Sequence, residues 1–499
     1  MRRLAFLGVL FLLFTSAAGV AQASARTLFV CNGSTSPCPQ NTQPYSTIQG
    51  AVDAAHAGDW ILIWPGVYHE KATAKQGVLI TTPDLHLRGL DRNRVIVDGS
   101  NGSAGNPCPA DKASQDFTAR SGVVVSKASG GSIENLTVCD YLAAAGGGQG
   151  NEIWWNGGDG SGKIGMGAFK GDYLTATSLY TPSAASDPQQ WAYYGIFASN
   201  AAGPGLISHS YAANMADSDY YVGACARVCN TTLDHVRATN SQLGYSGTNA
   251  GGKVIIRNSE WDNNRTGLAP NTLNNEDAPP PQDGRCPGSQ TQSCFVIENN
   301  YIHDNNNPNV PSSGVTPALG AGVELSGGKY DTVRYNRIEN QGAWGIVTHD
   351  FPDPSAPPPV SHCEGGVQIS TICYFRSMGD QIYGNHLAHN GSFKNPTNGD
   401  LANQAIWAPQ NCFTGNVDTA GKLTTDPAGL QTAPGKTCGR PGDTVLLFAE
   451  LLCSTGFTTC IVPNANYPAR THITMAALPR LTSMPHPCRG LPAATWCRD

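Results

Sequence analysis

Apolar residues recur along most of this chain at a fixed spacing. Seven eight-residue segments each begin with an apolar residue and carry a second one five positions later, with Asn or Asp expected seven positions later. A second series of apolar positions lies between these segments, and its step is 23 to 25 residues wherever no insertion intervenes. The chain therefore contains a structural repeat of that length. The segments begin at Ile133, Ile207, Leu233, Ile256, Ile297, Val333 and Ile382, the last of which has His389 and then Asn390 at the polar position.

A repeat of this length with several short strands predicts an all-β fold, a right-handed parallel β-helix. The apolar residues point inward, the Asn and Asp residues occupy bends, and each side chain stacks on its counterpart in the next coil at about 4.8 Å. Amide side chains in the bend column can hydrogen-bond along the stack. The right-handed sense follows from the general preference of parallel crossovers. A β-sandwich is the alternative, but it would require neither a constant period nor matched columns.

Both ends of the repeat are predicted to be covered. Before it, Ser46 and Gln49 form a capping-box pair at the start of a short helix that ends at Gly58 and covers the first coil. After about residue 415 the repeat fades, and a tail rich in Cys and Pro is expected to cover the last coil. We therefore divide the chain into a β-helix at 26–415 and a C-terminal capping region at 416–499.

Residues 1–25 have the features of a cleaved signal peptide. Two arginines precede an apolar run, and small residues in an A-x-A pattern follow at 21–23 or 23–25. The alternative, a membrane anchor, would need about 20 apolar residues, and this run is shorter. We therefore expect a secreted, extracellular protein with no membrane partner.

Secretion predicts oxidised cysteines. The chain has 16 cysteines, an even number, and they fall into neighbouring pairs. A zinc site is the alternative for Cys225 and Cys229, but no second ligand pair lies at metal spacing. We predict local disulfides that join Cys31 to Cys38, Cys108 to Cys139, Cys225 to Cys229, Cys286 to Cys294, Cys363 to Cys373, Cys412 to Cys438, Cys453 to Cys460 and Cys488 to Cys497.

Composition narrows the range of partners. Charged residues make up 14% of the chain, the formal net charge is -6, and Lys and Arg form no cluster. The surface therefore lacks the positive patch that nucleic acid or anionic lipid requires. The 57 Gly and 34 Pro residues indicate many turns and short strands rather than long helices. We expect a monomer.

The sequence resembles a known superfamily at its start and in its repeats. The stretch "YSTIQGAVDAAHAGDWILIWPGVYHE", followed by "LHLRGLDRNRVIVDG", looks like the start of the pectin-lyase-like superfamily. The stretches "SIENLTV" and "TVRYNRIENQGAWGI" are similar to its parallel β-helix repeats, so the resemblance covers roughly residues 27–415. It implies the fold but names no activity, because the superfamily includes lyases, hydrolases, esterases, epimerases and inert adhesins.

The resemblance leaves two classes of function. The first is a protein that binds or processes extracellular polysaccharide, as a lyase, an epimerase or a hydrolase, because a long rigid face suits a polymer. The second is a non-catalytic structural or adhesive protein of the cell surface. The signature motifs of pectin methylesterases, polygalacturonases, pectate lyases and alginate epimerases are all missing from the sequence. Catalysis is therefore left open.

A first candidate site lies between two Pro-rich insertions. Both insertions leave the repeat after the same strand column, so they should rise from one side of the β-helix, and each contains a predicted disulfide. The coil between them has a short turn, which leaves a notch with Glu324 pointing outward. His349 and Asp350 end the matching strand of the next coil. An acid and a histidine suit general acid/base chemistry or abstraction of a sugar C5 proton, and the alternative is an exposed Glu beside a loop His.

A second candidate site lies at the entry of an earlier coil. Asp217 and Asp219 could flank a glycosidic bond or hold a calcium ion. Nothing else in the sequence supports calcium binding, so we expect no cofactor. Tyr220 could contact a sugar, whereas the repeat assigns Tyr221 to the core; the alternative for the whole stretch is an ordinary turn. Aromatic residues in an irregular region could also stack on sugar rings or merely pack a loop. They are Trp154 and Trp155 in "EIWWNGGDG" and the cluster "WAYYG" at 191–195.

Overall fold

The computed structural model describes residues 24–497 except for several short segments. Those segments are 144–147, 183–189, 226–227, 275–294, 313, 315–316, 354–362, 364, 406–408, 433–437, 439–441, 444, 457–458 and 493–496. The predicted signal peptide, up to residue 23, and the predicted Cys286–Cys294 disulfide therefore lie outside the described residues.

Three long parallel sheets form the body of the protein, one of 12 strands and two of 11. Each full coil passes through the first, second and third sheet in turn, so the chain is a parallel β-helix, as predicted. The first sheet contains Thr27–Val30, Trp60–Ile63, His86–Gly89, Ser132–Glu134, Phe169–Asp172, Gly205–Ser208, Val228–Asp234, Gly252–Arg257, Phe295–Glu298, Thr332–Arg334, Gln381–Tyr383 and Cys412–Thr414.

The other two sheets follow the same order along the axis. The second sheet contains Gly66–Tyr68, Val95–Asp98, Thr137–Cys139, Thr175–Thr177, Tyr211–Ala213, Arg237–Thr239, Glu260–Asp262, Tyr301–His303, Arg337–Glu339, His386–Ala388 and Val417–Asp418. The third sheet contains Gln76–Ile80, Ser121–Ser126, Asn151–Asn156, Tyr194–Ser199, Ser218–Gly223, Leu243–Ser246, Thr266–Ala269, Ala321–Ser326, Trp344–His349, Gly399–Asn403 and Thr425–Asp426.

One apolar core runs through the inside of the coils. Strand residues alternate between the two faces of a sheet, so each coil places the same strand position inside, and neighbouring coils stack like on like. These inward residues are buried, and they belong to a single hydrophobic cluster that extends from Leu28 to Leu430. The inward column of the third sheet is Ile153, Ile196, Tyr220, Tyr245, Leu268, Val323, Ile346 and Leu401.

The predicted column of Asn and Asp residues forms bends. Its members have positive φ angles, a conformation that Asn and Asp tolerate better than other non-glycine residues. In this column Asn240 donates from Nδ2 to Asn214 Oδ1 at 2.7 Å, but Asn263 is exposed. The amide stacking that we expected in this column therefore holds for one pair and not for Asn263. The column comprises Asp140, Asn214, Asn240, Asn263, Asp304, Asn340 and His389.

Two ladders of polar side chains, mostly buried, follow two series of bends: the longer one lies after the bends between the first and second sheets, and the other lies after the column just described. In the longer one, Asn385 accepts from the backbone N–H of Asn336 at 3.0 Å and donates to the carbonyl of Val333 at 2.9 Å. Each ladder residue thus pairs backbone groups that turn inward at a bend, which would otherwise be left without partners. The longer ladder is Ser259, Asn300, Asn336, Asn385, Asn416 and Gln431, and the other is Ser241, Asn264, Asn305, Gln341 and Asn390.

A short helix, α1 (Ile48–Ala54), packs against the first coils. Its N-cap is Thr47, whose Oγ1 accepts from Gly50 N at 3.1 Å, rather than Ser46. The expected capping box does not form, because Gln49 instead bonds Leu79 in the third sheet. The predicted covering helix is therefore present, with a cap one residue later than expected.

Only the first part of the C-terminal tail covers the last coil. The coils continue past residue 415 into Val417–Asp418 and Thr425–Asp426, and Leu430 then closes the apolar core. A second helix, α2 (Leu446–Thr455), lies instead on the outer face of the third sheet. The expectation that the whole tail caps the end was wrong, because α2 finds apolar partners on that outer face. They are Ala318, Ala321, Ala343, Trp344, Val347 and Ala402, which pack with Leu447 and Leu451.

The rest of the tail runs back toward the N-terminal coils along the outside of the second sheet. Bend residues hold it by side-chain hydrogen bonds, for example Asn214, which donates to Ala476 O and accepts from Ala476 N. At its far end Thr27 donates to the carbonyl of Pro492 at 3.0 Å. The described tail therefore links coils from both ends of the solenoid. Further bonds to it come from Arg88, Arg92, Asn93, Asn135, Asn240 and Asn309.

Seven of the eight predicted disulfides are present among the described residues, and the described cysteines include none that is free. Cys225 is bonded to Cys229, so the zinc alternative was wrong.

A small antiparallel sheet lies beside the third sheet, near the Cys363–Cys373 disulfide. Its strands are Phe351–Asp353, Val367–Ile369 and Ile372–Phe375. A short 3-10 helix spans Lys112–Ser114. In the described part, no helix is long and apolar enough to span a bilayer.

The amide ladder leads to a stability prediction. We expect Asn385→Leu to leave the backbone N–H of Asn336 and the carbonyl of Val333 unpaired, at a cost of about 1–3 kcal/mol for each buried group. The adjacent His386 is exposed, and His386→Leu should change the free energy of unfolding by less than about 0.5 kcal/mol. Urea unfolding of both variants checks this, and equal midpoints would contradict the ladder.

Candidate functional site

The outer face of the third sheet carries a continuous column of side chains. Neighbouring strands pair in register, so these side chains follow one another at about 4.8 Å along the helix axis. The column begins with aromatic residues, becomes polar in the middle, and ends beneath α2. It comprises Trp154, Phe197, Tyr221, Ser246, Ala269, Glu324, Val347 and Ala402.

The aromatic part of the column forms a floor, which we call the aromatic floor. The rings of Trp154 and Phe197 stack at 5.2 Å and 2°. Tyr194 stacks on Phe197 at 4.7 Å, and Tyr221 meets Phe197 edge-on at 4.7 Å. A cavity of about 460 Å³ lies over Trp154, Phe197 and Tyr194. The stacked rings cover one another's faces, so this surface presents ring edges and apolar area beside polar groups, which a sugar can contact.

Two of the predicted substrate-binding residues lie in the core. Tyr220 is fully buried and its hydroxyl donates to the carbonyl of Arg237, and Trp155 packs inside against Phe169. These two predictions were wrong. Neighbouring residues of a strand point to opposite faces of the sheet, so Tyr220 and Trp155 point inward. The adjacent residues, Tyr221 and Trp154, point outward. A register error of one residue exchanged the roles of Tyr220 and Tyr221.

Glu324 and His349, which lie on neighbouring strands of the third sheet, contact each other. Glu324 Oε1 lies 3.0 Å from His349 Nε2, and Glu324 Oε2 accepts from Ala318 N at 3.2 Å. Both residues are only 7% exposed. The expectation of an exposed Glu324 was wrong, because α2 and neighbouring loop residues cover this part of the face.

The pair is an ion pair with both imidazole nitrogens engaged. His349 Nδ1 lies 2.9 Å from the carbonyl oxygen of Asp350, which can only accept, so Nδ1 carries a proton. Burial lowers the pKa of His349, but the hydrogen bond and charge of Glu324 outweigh burial, and the net pKa is raised. The second proton therefore lies between Nε2 and Glu324. Since neither nitrogen is free, His349 does not activate a neighbouring hydroxyl such as that of Ser326.

Asp350 holds the neighbouring loop. Its Oδ2 accepts from the Tyr374 hydroxyl at 2.9 Å, and its Oδ1 accepts from Ser377 N at 2.8 Å. Burial raises its pKa, and these two bonds oppose the rise. Asp350 thus lines the same cavity as His349, with both carboxylate oxygens bonded to the protein.

The two acids of the second candidate site point in different directions. Asp217 precedes the strand, and its Oδ2 accepts from the Tyr194 hydroxyl at 3.1 Å at the end of the aromatic floor. Burial raises its pKa. Asp219 is fully buried, where Oδ1 accepts from Ser241 Oγ at 2.6 Å, and burial raises its pKa well above the ordinary range. The prediction that they form an acid pair was therefore wrong.

One cavity brings together residues from both candidate sites. It has a volume of about 400 Å³ and is lined by Asp217, Glu324, His349 and Asp350. Tyr194 and Asp217 line this cavity and also the one over the aromatic floor, so the two cavities are adjacent. The sequence analysis missed the role of Tyr194, although the cluster "WAYYG" pointed to it. It also missed α2 as a wall, because no local pattern encodes that contact.

Potential metal ligands cluster elsewhere. Among the described residues, groups of three or more occur at Asp98, Cys139 and Asp140 and at Glu260, Asp262 and His303. Cys139 is in a disulfide, and Arg237 already neutralises Asp262 through two hydrogen bonds of 3.0 and 3.1 Å. The donor sets therefore do not point to calcium at the cavity.

Comparison with known proteins gives structural likeness only. No protein-family model matches the sequence, and no curated protein matches it. A mannuronan C-5 epimerase A-module from Azotobacter vinelandii is similar at 12% identity and a TM-score of 0.43, over 79% of this chain and 94% of that one. The catalytic domain of a GH87 α-1,3-glucanase is similar at 10% identity and a TM-score of 0.47, over 82% and 70%. A pectate lyase is similar at 11% identity and 0.39, over 81% and 79%. At these values, the activities of those proteins do not transfer to this chain.

The buried pair predicts a specific pH dependence. The pKa of His349 is higher in the folded protein than in the unfolded chain, where it is about 6.5. Protonated His349 therefore stabilises the fold fully below about pH 6.5, and this stabilisation is lost as the pH rises through the pKa of the folded state. We expect Glu324→Gln to lower the free energy of unfolding by about 1–3 kcal/mol and to remove this part of the pH dependence. Urea unfolding between about pH 5.5 and 9 checks this. Glu339→Gln is the control, because its partner Arg337 has a side chain that is 61% exposed and pairs of this kind contribute roughly 0–1 kcal/mol. A His349 pKa that is the same in wild type and Glu324→Gln would contradict the pair.

Proposed function

We propose that this protein is a secreted carbohydrate-active β-helix protein that binds an extracellular polysaccharide along the aromatic floor. The observation that carries this proposal is that the aromatic floor adjoins a cavity lined by ionisable groups, with Tyr194 and Asp217 lining both. The seven disulfides support an oxidising compartment and hence secretion. We further propose that the protein acts as a monomer, without membrane or nucleic-acid partners.

We assign the proton-transfer role to Asp217. Asp217 lies where the floor adjoins the cavity, and the residue as a whole is more exposed than Glu324 and His349. Burial raises its pKa above the ordinary value of an aspartate, which suits a carboxyl group to general acid or base chemistry. Tyr194 keeps its proton, because burial and the nearby Asp217 raise its pKa well above the ordinary value, and its hydroxyl orients the carboxylate.

The assignment allows lyase, epimerase or hydrolase chemistry, since each requires a proton to be moved at a sugar unit. The ion pair of Glu324 with His349 would set the electrostatic environment of the cavity without touching the proton in transfer. A specific observation also favours a non-catalytic binding protein: the ionisable groups of the cavity are all bonded to protein groups, and these groups are Asp217, Glu324, His349 and Asp350. The two functions are separated by measuring turnover and retention on the same glycans.

The aromatic floor predicts the loss of glycan retention on mutation. We expect Trp154→Ala to weaken retention on a matching polysaccharide by roughly 10-fold, because one stacking surface is removed. Affinity electrophoresis against a panel of uronate and neutral glycans checks this. Tyr335→Ala is the control, since Tyr335 is a half-exposed aromatic residue on a different face. Equal retention of both variants would place the glycan elsewhere.

The role of Asp217 predicts the loss of turnover with retention unchanged. Asparagine keeps the acceptor for Tyr194 but cannot exchange a proton, so Asp217→Asn should lower turnover by about 100-fold or more. New reducing ends, unsaturated products or exchange of a sugar proton with solvent measure it. Asp304→Asn, on the second-sheet side, is the control. Full turnover in Asp217→Asn would refute this role, and absence of turnover in wild type on every retained glycan would favour the binding protein.

A further inference from the structure

The cavity beside Glu324 has apolar walls. On the β-helix side Leu243, Ala269 and Leu273 line it, and α2 contributes Phe448 and Leu452. Its volume of about 400 Å³ lies in the range of small-molecule sites. It thus differs from the neighbouring cavity over the aromatic floor, where Gln149 and Asn151 lie beside the rings.

The ionisable groups beside Glu324 in this cavity are already bonded to protein groups. Both carboxylate oxygens of Glu324 and both ring nitrogens of His349 have protein partners, and so do both oxygens of Asp350. A sugar ring that entered would set several of its hydroxyls against the apolar walls formed by Ala269, Phe448 and Leu452, where they would remain unpaired, and this is unfavourable. An apolar group would only remove apolar surface from water, which is favourable.

The α2 wall is firmly attached to the β-helix. Arg265 donates from Nη2 to the carbonyl of Ser454 at 2.6 Å at the C-terminal end of α2, and Glu450 accepts from Thr397. Leu447 packs on the third sheet. Since α2 is apolar on more than one face, Phe448 and Leu452 remain half-buried and line the cavity. A helix with a second apolar face indicates that something apolar covers that face.

We propose that this cavity binds an apolar substituent, an aromatic ring or short acyl chain, carried by the glycan on the aromatic floor. The shared lining of Tyr194 and Asp217 places the substituent next to the sugar that bears it. The attachment to a glycan depends on the proposed function, whereas binding of the apolar group does not. The two can therefore fail separately.

The test uses two alkyl glycosides with the same sugar, methyl and octyl β-glucoside, together with toluene as an apolar probe without a sugar. We expect toluene and the octyl glycoside to bind the full-length protein, with the octyl form bound at least 10-fold more tightly than the methyl form. Titration calorimetry measures the glycosides, and ligand-observed NMR measures toluene. No binding of toluene, or equal binding of the two glycosides, would overturn the proposal.

Variants locate the binding. Leu452→Asp puts a charge in the cavity and Ala269→Phe fills it, so each should weaken toluene binding at least 10-fold. Leu446→Asp is the matched control on α2, because Leu446 is exposed and does not line the cavity. Trp154→Ala should keep toluene binding, so loss of glycan retention in that variant tests the proposed function alone. Unchanged toluene binding in both Leu452→Asp and Ala269→Phe would overturn the assignment to this cavity.

Discussion

The structure depends on the in-register stacking of its coils. Each coil lies about 4.8 Å from the next, so every side chain has the same strand position as its neighbour above and below. Apolar columns then pack continuously inside, and the ladders through Asn305 and Asn385 pair the backbone groups that turn inward at the bends. A shift by one residue would exchange the inner and outer faces and break both ladders at once, which is why the register is so strongly specified.

The same constraint builds the candidate site. Trp154, Phe197 and Tyr221 form a floor because three successive coils place aromatic residues at one outward position. Farther along the column Glu324 contacts His349 on the adjacent strand of the next coil. The site therefore needs no special loop to position its groups. The coils alone leave the cavity beside Glu324 open on one side, and α2 from the C-terminal tail forms the wall on that side.

The sequence predicted what periodicity controls and missed what distant segments add. The period predicted the coils, the inward columns and the placement of Glu324 and His349 on matching strands of neighbouring coils. Disulfides between near neighbours, such as that of Cys363 with Cys373, followed from spacing. The register failed at Tyr220 and Tyr221, because two adjacent tyrosines fit an inward position equally well by composition. The burial of Glu324 was not predictable, because it depends on a helix more than 100 residues later in the chain.

The most direct test of this account is a hydrogen-exchange footprint with a retained oligosaccharide. The account predicts slower exchange on the third sheet, in Asn151–Asn156, Tyr194–Ser199 and Ser218–Gly223, where the aromatic floor lies. The corresponding strands of the first sheet, such as Gly205–Ser208 and Val228–Asp234, should exchange as they do without the sugar. Protection confined to the first or second sheet would contradict the assignment of the glycan to the outer face of the third.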